Sequence, residues 1–256
     1  MTDKCFDKLF WDAAVDLGDA IVLNGAVRYW AQICDKLYYP AKGEYFDTLT
    51  CLYQDEPNIE VWRFFEDIQH EIFLVSNPMP RLRVPKLKTT HVHRVNCPPE
   101  KIHVNWPQQI YENINVPFHI RYDYFKLPKH IPGQFELFDR LTQGQTEYAL
   151  VHRRSGTNPN PLPILLTPEI GSNIQNLLII EIAPGLTNNL LDFVKLIRHA
   201  REIHCIASSF FNLVDSMLDQ TQAQCFFHDA RANSMMQVNS RYNNHRWKCI
   251  DYGFRA

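Results

Sequence analysis

The chain has no CxxC pair among its seven cysteines, no GxGxxG run among its nine glycines, and no excess of charge of either sign. Each absence narrows the field. Cysteines scattered singly at 5, 34, 51, 97, 205, 225 and 249, odd in number, favour reduced thiols in a cytosol-like compartment over a disulfide framework. A formal net charge of −2, from 26 basic and 28 acidic side chains, leaves no electrostatic footprint for sequence-independent nucleic-acid or membrane-surface binding. No apolar run approaches the roughly 18 residues of a membrane span; even LLIIEIAPGLTNNLL is broken by Glu181 and Pro184. The first residues, MTDKCFDKLFWDAAVDL, carry neither a basic leading segment nor a small-residue cleavage site, so no secretory signal is expected and the protein is expected to be cytoplasmic.

What is present suits a globular protein. Over 256 residues the chain is 45% hydrophobic and 12% aromatic, enough for one large domain or two small ones. Ala20, Ile21, Leu23, Val27, Trp30, Ala31, Cys34 and Leu37 recur at helical spacing, as do Val61, Phe64, Phe65, Ile68 and Ile72, which predicts a helical N-terminal region. From Ser76 to Pro107 prolines, basic residues and short alternations favour strands and extended loops. His91, His93, Cys97 and His103 lie here, without the paired spacing of a structural zinc site.

Further on, VPFHIRYDYFKL reads as a strand and GQFELFDRLTQGQTEYALVHRR as mostly helical, while PILLTPEI and NLLIIEI read as two strands. The stretch NNLLDFVKLIRHAREIHCIASSFFNLVDSMLDQ is expected to form two helices. CFF, a polar loop HDARAN, a short strand SMMQVN and a final strand WKCI complete the order.

Two acidic residues stand beside apolar strands near the end, Asp229 in FFHDARANSMM and Asp251 in WKCIDYGFRA. A metal-assisted phosphoryl transfer needs oxygen ligands for Mg²⁺ and a carboxylate to orient the attacking hydroxyl. Asp229, Asn233 and Asp251 are residues of the required kind.

This arrangement resembles the protein-kinase-like superfamily, in which an Asp and a downstream Asn precede an Asp-Phe-Gly; here they read HDARANSMM and DYG. The resemblance implies an α+β bilobal fold with a reduced C-lobe and a helical N-terminal extension. It divides the chain into an extension with connecting segment at 1–105 and a kinase-like domain at 106–256, with an N-lobe to about 183 and a truncated C-lobe from 184. It implies ATP and Mg²⁺ as cofactors and γ-phosphoryl transfer to a hydroxyl. By it, Asp229 is the catalytic Asp, Asn233 and Asp251 hold the metal, and Arg231 stands where a phosphate-contacting Lys is common. LLIIEIAPG resembles the fifth strand and hinge, which gives Glu181, Ile182 and Ala183 the adenine edge. Lys126 and Glu147 become the phosphate-side ion pair, with Lys129 as the substitute lysine.

The sequence departs from that pattern in three ways. No Gly-rich loop precedes Lys126, Asn233 follows Asp229 by four positions instead of five, and the residues after Asp251 are too few for an activation segment. These departures favour, as the alternative, a catalytically inactive pseudokinase that binds a protein partner as inhibitor or scaffold. A protein partner or substrate is expected in either case, with the host cytoplasm as the compartment of an effector.

Overall fold

In the computed structural model, residues 6–12, 16–64, 91–94, 106–154, 160–230 and 246–253 are described. They form two α/β units, one of residues 1–96 with 110–129, the other of residues 97–109 with 130–256.

In the first unit a strand is followed by helix-forming sequence, and the motif then repeats. β1 (Phe6–Asp12) leads into α1 (Leu17–Val22) and α2 (Asn24–Ala31), then β2 (Cys34–Lys42), α3 (Phe46–Tyr53) and β3 (Ile59–Phe64). β4 (His91–Arg94) completes a four-stranded sheet in the order β3-β2-β1-β4. All three pairings are parallel, with Leu9 opposite both Leu37 and His91. Parallel neighbours cannot be joined by a tight hairpin, and the β1–β2 and β2–β3 crossovers each carry a helix. In β2, Leu37 to Pro40 and Ala41 are buried in succession, without the alternation of a one-sided strand. Ile21 and Val22 on α1, Leu23 between the helices, and Ala26 and Val27 on α2 are fully buried.

Residues 110–129 belong to the same unit. α4 (Trp106–Asn113) presents Tyr111, whose hydroxyl donates to Val22 O at 2.8 Å and accepts from Ala26 N–H at 3.2 Å. α5 (Ile120–Asp123) packs so tightly on Gly25 that a Cβ there would lie 2.8 Å from Arg121 O.

The second unit opens with α6 (Gln134–Thr142) and β5 (Tyr148–His152), followed by β6 (Leu178–Glu181), α7 (Val194–His199), β7 (Glu202–Cys205), α8 (Ser209–Ser216), β8 (Gln224–Asp229) and β9 (Trp247–Asp251). The five strands are parallel, in the order β6-β5-β7-β8-β9. Helices cover one face, where Tyr148 Oη donates to Leu196 O at 2.9 Å and the Phe138 ring meets Tyr148 edge-on. The other face of β5, Ala149 and Val151, is covered by Ile164, Leu166, Ile174 and Leu177. These come from an extended strap, residues 160–177, with two short 3-10 turns at Pro168–Ile170 and Ile174–Asn176.

The expected α+β bilobal kinase-like fold is overturned by this architecture. An α+β fold segregates its helices from an antiparallel sheet, whereas here every described strand pair is parallel and helices lie between β1 and β2, β2 and β3, β6 and β7, and β7 and β8. The helical N-terminal extension is a βα unit: Cys34 and Leu37, which continue the helical spacing of α2, lie in β2. The supposed two-helix stretch contains β7 between α7 and α8. VPFHIRYDYFKL holds α5 in place of a strand, and PILLTPEI forms part of the strap. The short strand expected at SMMQVN lies outside the described residues.

Candidate functional site

In an open parallel sheet, a crevice forms outside the carboxyl ends of the strands wherever the strand order reverses. In the second unit the reversal falls between β5 and β7: the chain steps from β5 outward to β6 on one side and to β7 on the other. β5 ends in His152-Arg153-Arg154, β6 ends in Glu181, and β7 leads through Ile206 and Ala207 into Ser208, the N-cap of α8.

Ser208 is extended (φ −170°, ψ 175°) and its Oγ accepts from Phe211 N–H at 3.1 Å, satisfying one of the otherwise unpaired amides of the helix start. The same Oγ lies 3.2 Å from His152 Nδ1. A hydroxyl hydrogen directed at Nδ1 pairs with an imidazole that carries its proton on Nε2. The His152 ring stacks on Phe210, centroids 5.3 Å apart and planes 27° apart. Burial pushes the imidazole down to about 4, with the Glu181 charge opposing, so His152 is neutral at pH 7 and is a weak base there.

Beside it, Arg153 Nη2 lies 2.9 Å from Glu181 Oε2 and Arg154 Nε 3.3 Å from Glu181 Oε1. The hydrogen bond from Arg153, and then that from Arg154, hold the Glu181 carboxyl below its usual range against the opposing effect of burial. Two guanidinium groups against one carboxylate leave this edge with net positive charge. Arginines so placed at the ends of β5 and β6, and separately the start of α8 that Ser208 joins to His152, are groups of the kind that hold a phosphate.

The residues singled out in the sequence fall in several places. Glu181 is in this site, but it holds arginines. Ile182 is buried and donates its N–H to Val151 O at 2.8 Å, extending the sheet; Ala183 follows it in the loop. Asp229 and Asp251 occupy paired positions on β8 and β9. Asp251 Oδ1 accepts from Gly253 N–H at 2.7 Å, a turn-forming use, and the Asp229 charge adds to burial in raising the Cys249 thiol. Arg231 and Asn233 lie outside the described residues, as do Cys97 and His103. Among the described residues no group of three or more His, Cys, Asp or Glu is placed to hold a metal.

Glu147 forms a bidentate ion pair with Arg201, at 2.6 Å to Nη2. Lys126 pairs with Asp55 at 2.8 Å and Glu56 at 3.3 Å. Lys126 lines a cavity of about 610 Å³ in the first unit, together with Arg28, Gln32, Glu56 and Asn58. There the cations and acids engage one another: Arg28 reaches Glu56 at 2.5 Å and Asp55 at 2.9 Å.

Sequence reasoning missed His152, Arg153, Arg154 and Ser208. The local signal for the last existed, since Ser208 directly precedes the apolar run SFFNLV. What brings it to His152 is the pairing of β5 with β7, whose members are 53 residues apart at His152 and Cys205.

No family model matches the chain, and no curated protein matches it either. Among solved structures the fold is similar to the crystal structure of the glycosyl transferase family 9 from Veillonella parvula DSM 2008, with a TM-score of 0.55 and 9% sequence identity, over 95% of this chain and 85% of that one. At this identity the likeness concerns the fold. It overturns the protein-kinase-like resemblance, and with it both the ATP-dependent phosphotransferase and the pseudokinase: HDARAN and DYG match short kinase motifs inside a fold of a different class.

Proposed function

We propose that the chain is a glycosyltransferase that moves a sugar from a phosphate-linked donor to an acceptor hydroxyl. The anionic leaving group is held at the carboxyl edge of the second unit's sheet. What supports this is the position of Arg153 and Arg154 with Glu181 at the carboxyl ends of β5 and β6, and of the α8 start at the carboxyl end of β7, in a fold similar to that of a glycosyl transferase family 9 protein.

In such a transfer the acceptor oxygen forms a bond to the anomeric carbon. The bond from that carbon to the phosphate oxygen breaks, its electron pair leaves with the phosphate, and the acceptor proton passes to a base. Negative charge grows on the leaving group as the bond breaks, so donors fixed around it bind the transition state better than the ground state. Arg153 and Arg154 supply charge-assisted hydrogen bonds, and the α8 start supplies amide dipoles. Glu181 keeps both guanidinium groups in place without cancelling their charge. Neutral His152, held by Ser208 and Phe210, forms the wall between β5 and α8. The reaction as written calls on neither ATP nor Mg²⁺.

The test is calorimetric titration with pyrophosphate and a panel of nucleoside diphosphates, followed by mass-spectrometric detection of sugar transfer from the corresponding nucleotide sugars. Binding that weakens about tenfold in Arg154→Ala, the loss of one charge-assisted contact, supports the assignment. Absence of binding by every member of the panel at millimolar concentration overturns it.

A further inference from the structure

The face of the second unit's sheet opposite its helices carries an unbroken line of buried polar groups that the transfer chemistry does not use. At one end Tyr252 Oη accepts from Leu165 N–H at 2.6 Å and lies 2.8 Å from His228 Nδ1. His228 Nε2 lies 3.0 Å from His204 Nδ1, and His204 Nε2 lies 3.0 Å from Glu202 Oε2. At the other end Glu202 Oε2 accepts from Ser172 O–H and Oε1 from Asn173 N–H, both at 2.6 Å. His204 and His228 are 0% exposed and Glu202 is 3% exposed. The line thus crosses β7, β8 and β9, and both its ends fasten the strap of residues 160–177.

The donors fix its direction. Leu165 and Asn173 contribute backbone N–H groups, which only donate, and the Ser172 hydroxyl oxygen already accepts from Ile174 N–H at 3.2 Å and so spends its hydrogen on Glu202. With Glu202 a carboxylate, an acceptor only, His204 donates from Nε2. A neutral imidazole has one donor and one acceptor, so His204 Nδ1 accepts from His228 Nε2–H, and His228 Nδ1 accepts the Tyr252 hydroxyl hydrogen. Each hydrogen bond along the line is made in this arrangement.

We propose that Tyr252, His228, His204 and Glu202 form a hydrogen-bond latch of fixed proton polarity that holds both ends of the strap, so that the charge on Glu202 sets which way the Tyr252 hydroxyl points. With Glu202 anionic, that hydrogen is turned inward to His228. If position 202 donates instead, each imidazole changes tautomer in turn, His228 donates from Nδ1, and the Tyr252 hydrogen is turned out toward the carboxyl edge of the sheet. The latch thereby couples the amino end of β7 to the carboxyl end of β9. It is independent of the proposed transferase activity.

The electrostatics agree. Burial lowers both imidazoles: for His204 the Glu202 charge opposes it, and for His228, pushed to about 3, His204 adds to it. The other charged groups on this face are peripheral. Lys248 Nζ sits 5.8 Å over the Phe226 ring, Asp229 and Asp251 end their strands, and Glu169 of the strap is exposed.

The experiment uses the full chain labelled with ¹⁵N-histidine. Long-range ¹H–¹⁵N spectra at pH 7 should show His204 and His228 neutral with the proton on Nε2, and Glu202→Gln should move both protons to Nδ1. An imidazolium or an Nδ1–H tautomer in the parent protein overturns the proposal, as does an unchanged tautomer in folded Glu202→Gln. Should Glu202→Gln not fold, Tyr252→Phe serves. Hydrogen exchange at Leu165 N–H should then accelerate at least tenfold while Asn173 N–H keeps its rate, and equal rates at Leu165 in the two proteins overturn the latch.

Discussion

Ser208 Oγ and His152 Nδ1 lie 3.2 Å apart, joining the first turn of α8 to the carboxyl end of β5. A helix cap and a strand-end imidazole thus share one hydroxyl.

Ser208→Ala removes the cap and the His152 contact together. A loss of about 0.5–2 kcal/mol is expected, read as a lower urea midpoint at unchanged slope. Ser208→Asp keeps a cap and sets a carboxylate against Nδ1, so the His152 imidazole should titrate above its parent value of about 4. An NMR titration showing no rise would contradict the contact.

Acid should weaken the fold through its histidines. His152 and His228 are pushed down to about 4 and about 3, and His204 is lowered as well. The unfolded chain, with histidines near 6.5, takes up protons before the folded one does. Their contribution is therefore complete above about pH 6.5 and is lost as pH falls through the window down to about 4 and below. From His152 and His228 the slope approaches about 3 kcal/mol per pH unit, and His204 adds in the same direction. Urea unfolding at pH 7, 6, 5 and 4 measures it, and stability that holds constant or rises on acidification would refute the assignment.

In the first unit, Arg28 and Lys126 reach the same two acids from different environments. The Arg28 side chain is 3% exposed and also donates to Leu52 O at 2.8 Å, whereas that of Lys126 is 51% exposed. Arg28→Ala should cost about 3 kcal/mol, in the range for breaking a buried pair. Lys126→Ala should cost no more than about 1 kcal/mol, as exposed ion pairs do. Equal losses in chemical denaturation would show that the buried guanidinium is not the anchor.

Gly25→Ala places a methyl group against the backbone of residues 120 and 121. Although alanine favours a helix, α2 must move away from α5, and a net loss of about 1–3 kcal/mol is expected. A gain in melting temperature would show that the two helices have slack.

Several elements were legible in the sequence because their signals are local. α6 follows from the spacing of Phe135, Leu137, Phe138 and Leu141, β6 from LIIE, and β9 from WKCI. β2 was hidden because Cys34 and Leu37 extend the spacing of α2, and because Pro40 argues against a strand within a sheet. β7 was hidden because four residues between two helices carry too short a pattern to separate from a buried helical turn. Asp229 and Asp251 invited a kinase reading for a related reason. Two short motifs in the right order do not reveal whether the strands carrying them run parallel, and here they do.

The amino-acid order by itself determined an alternation of apolar runs and turns, a chain able to bury large cores, and the cap at Ser208, because these depend on residues within one or two helical turns of each other. Only the tertiary structure decided that the strands pair in parallel, that the strand order reverses between β5 and β7, that Arg153 and Arg154 meet Glu181, and that Ser208 meets His152. Strand order is set by packing between segments tens of residues apart, and a single sequence carries no local mark of it.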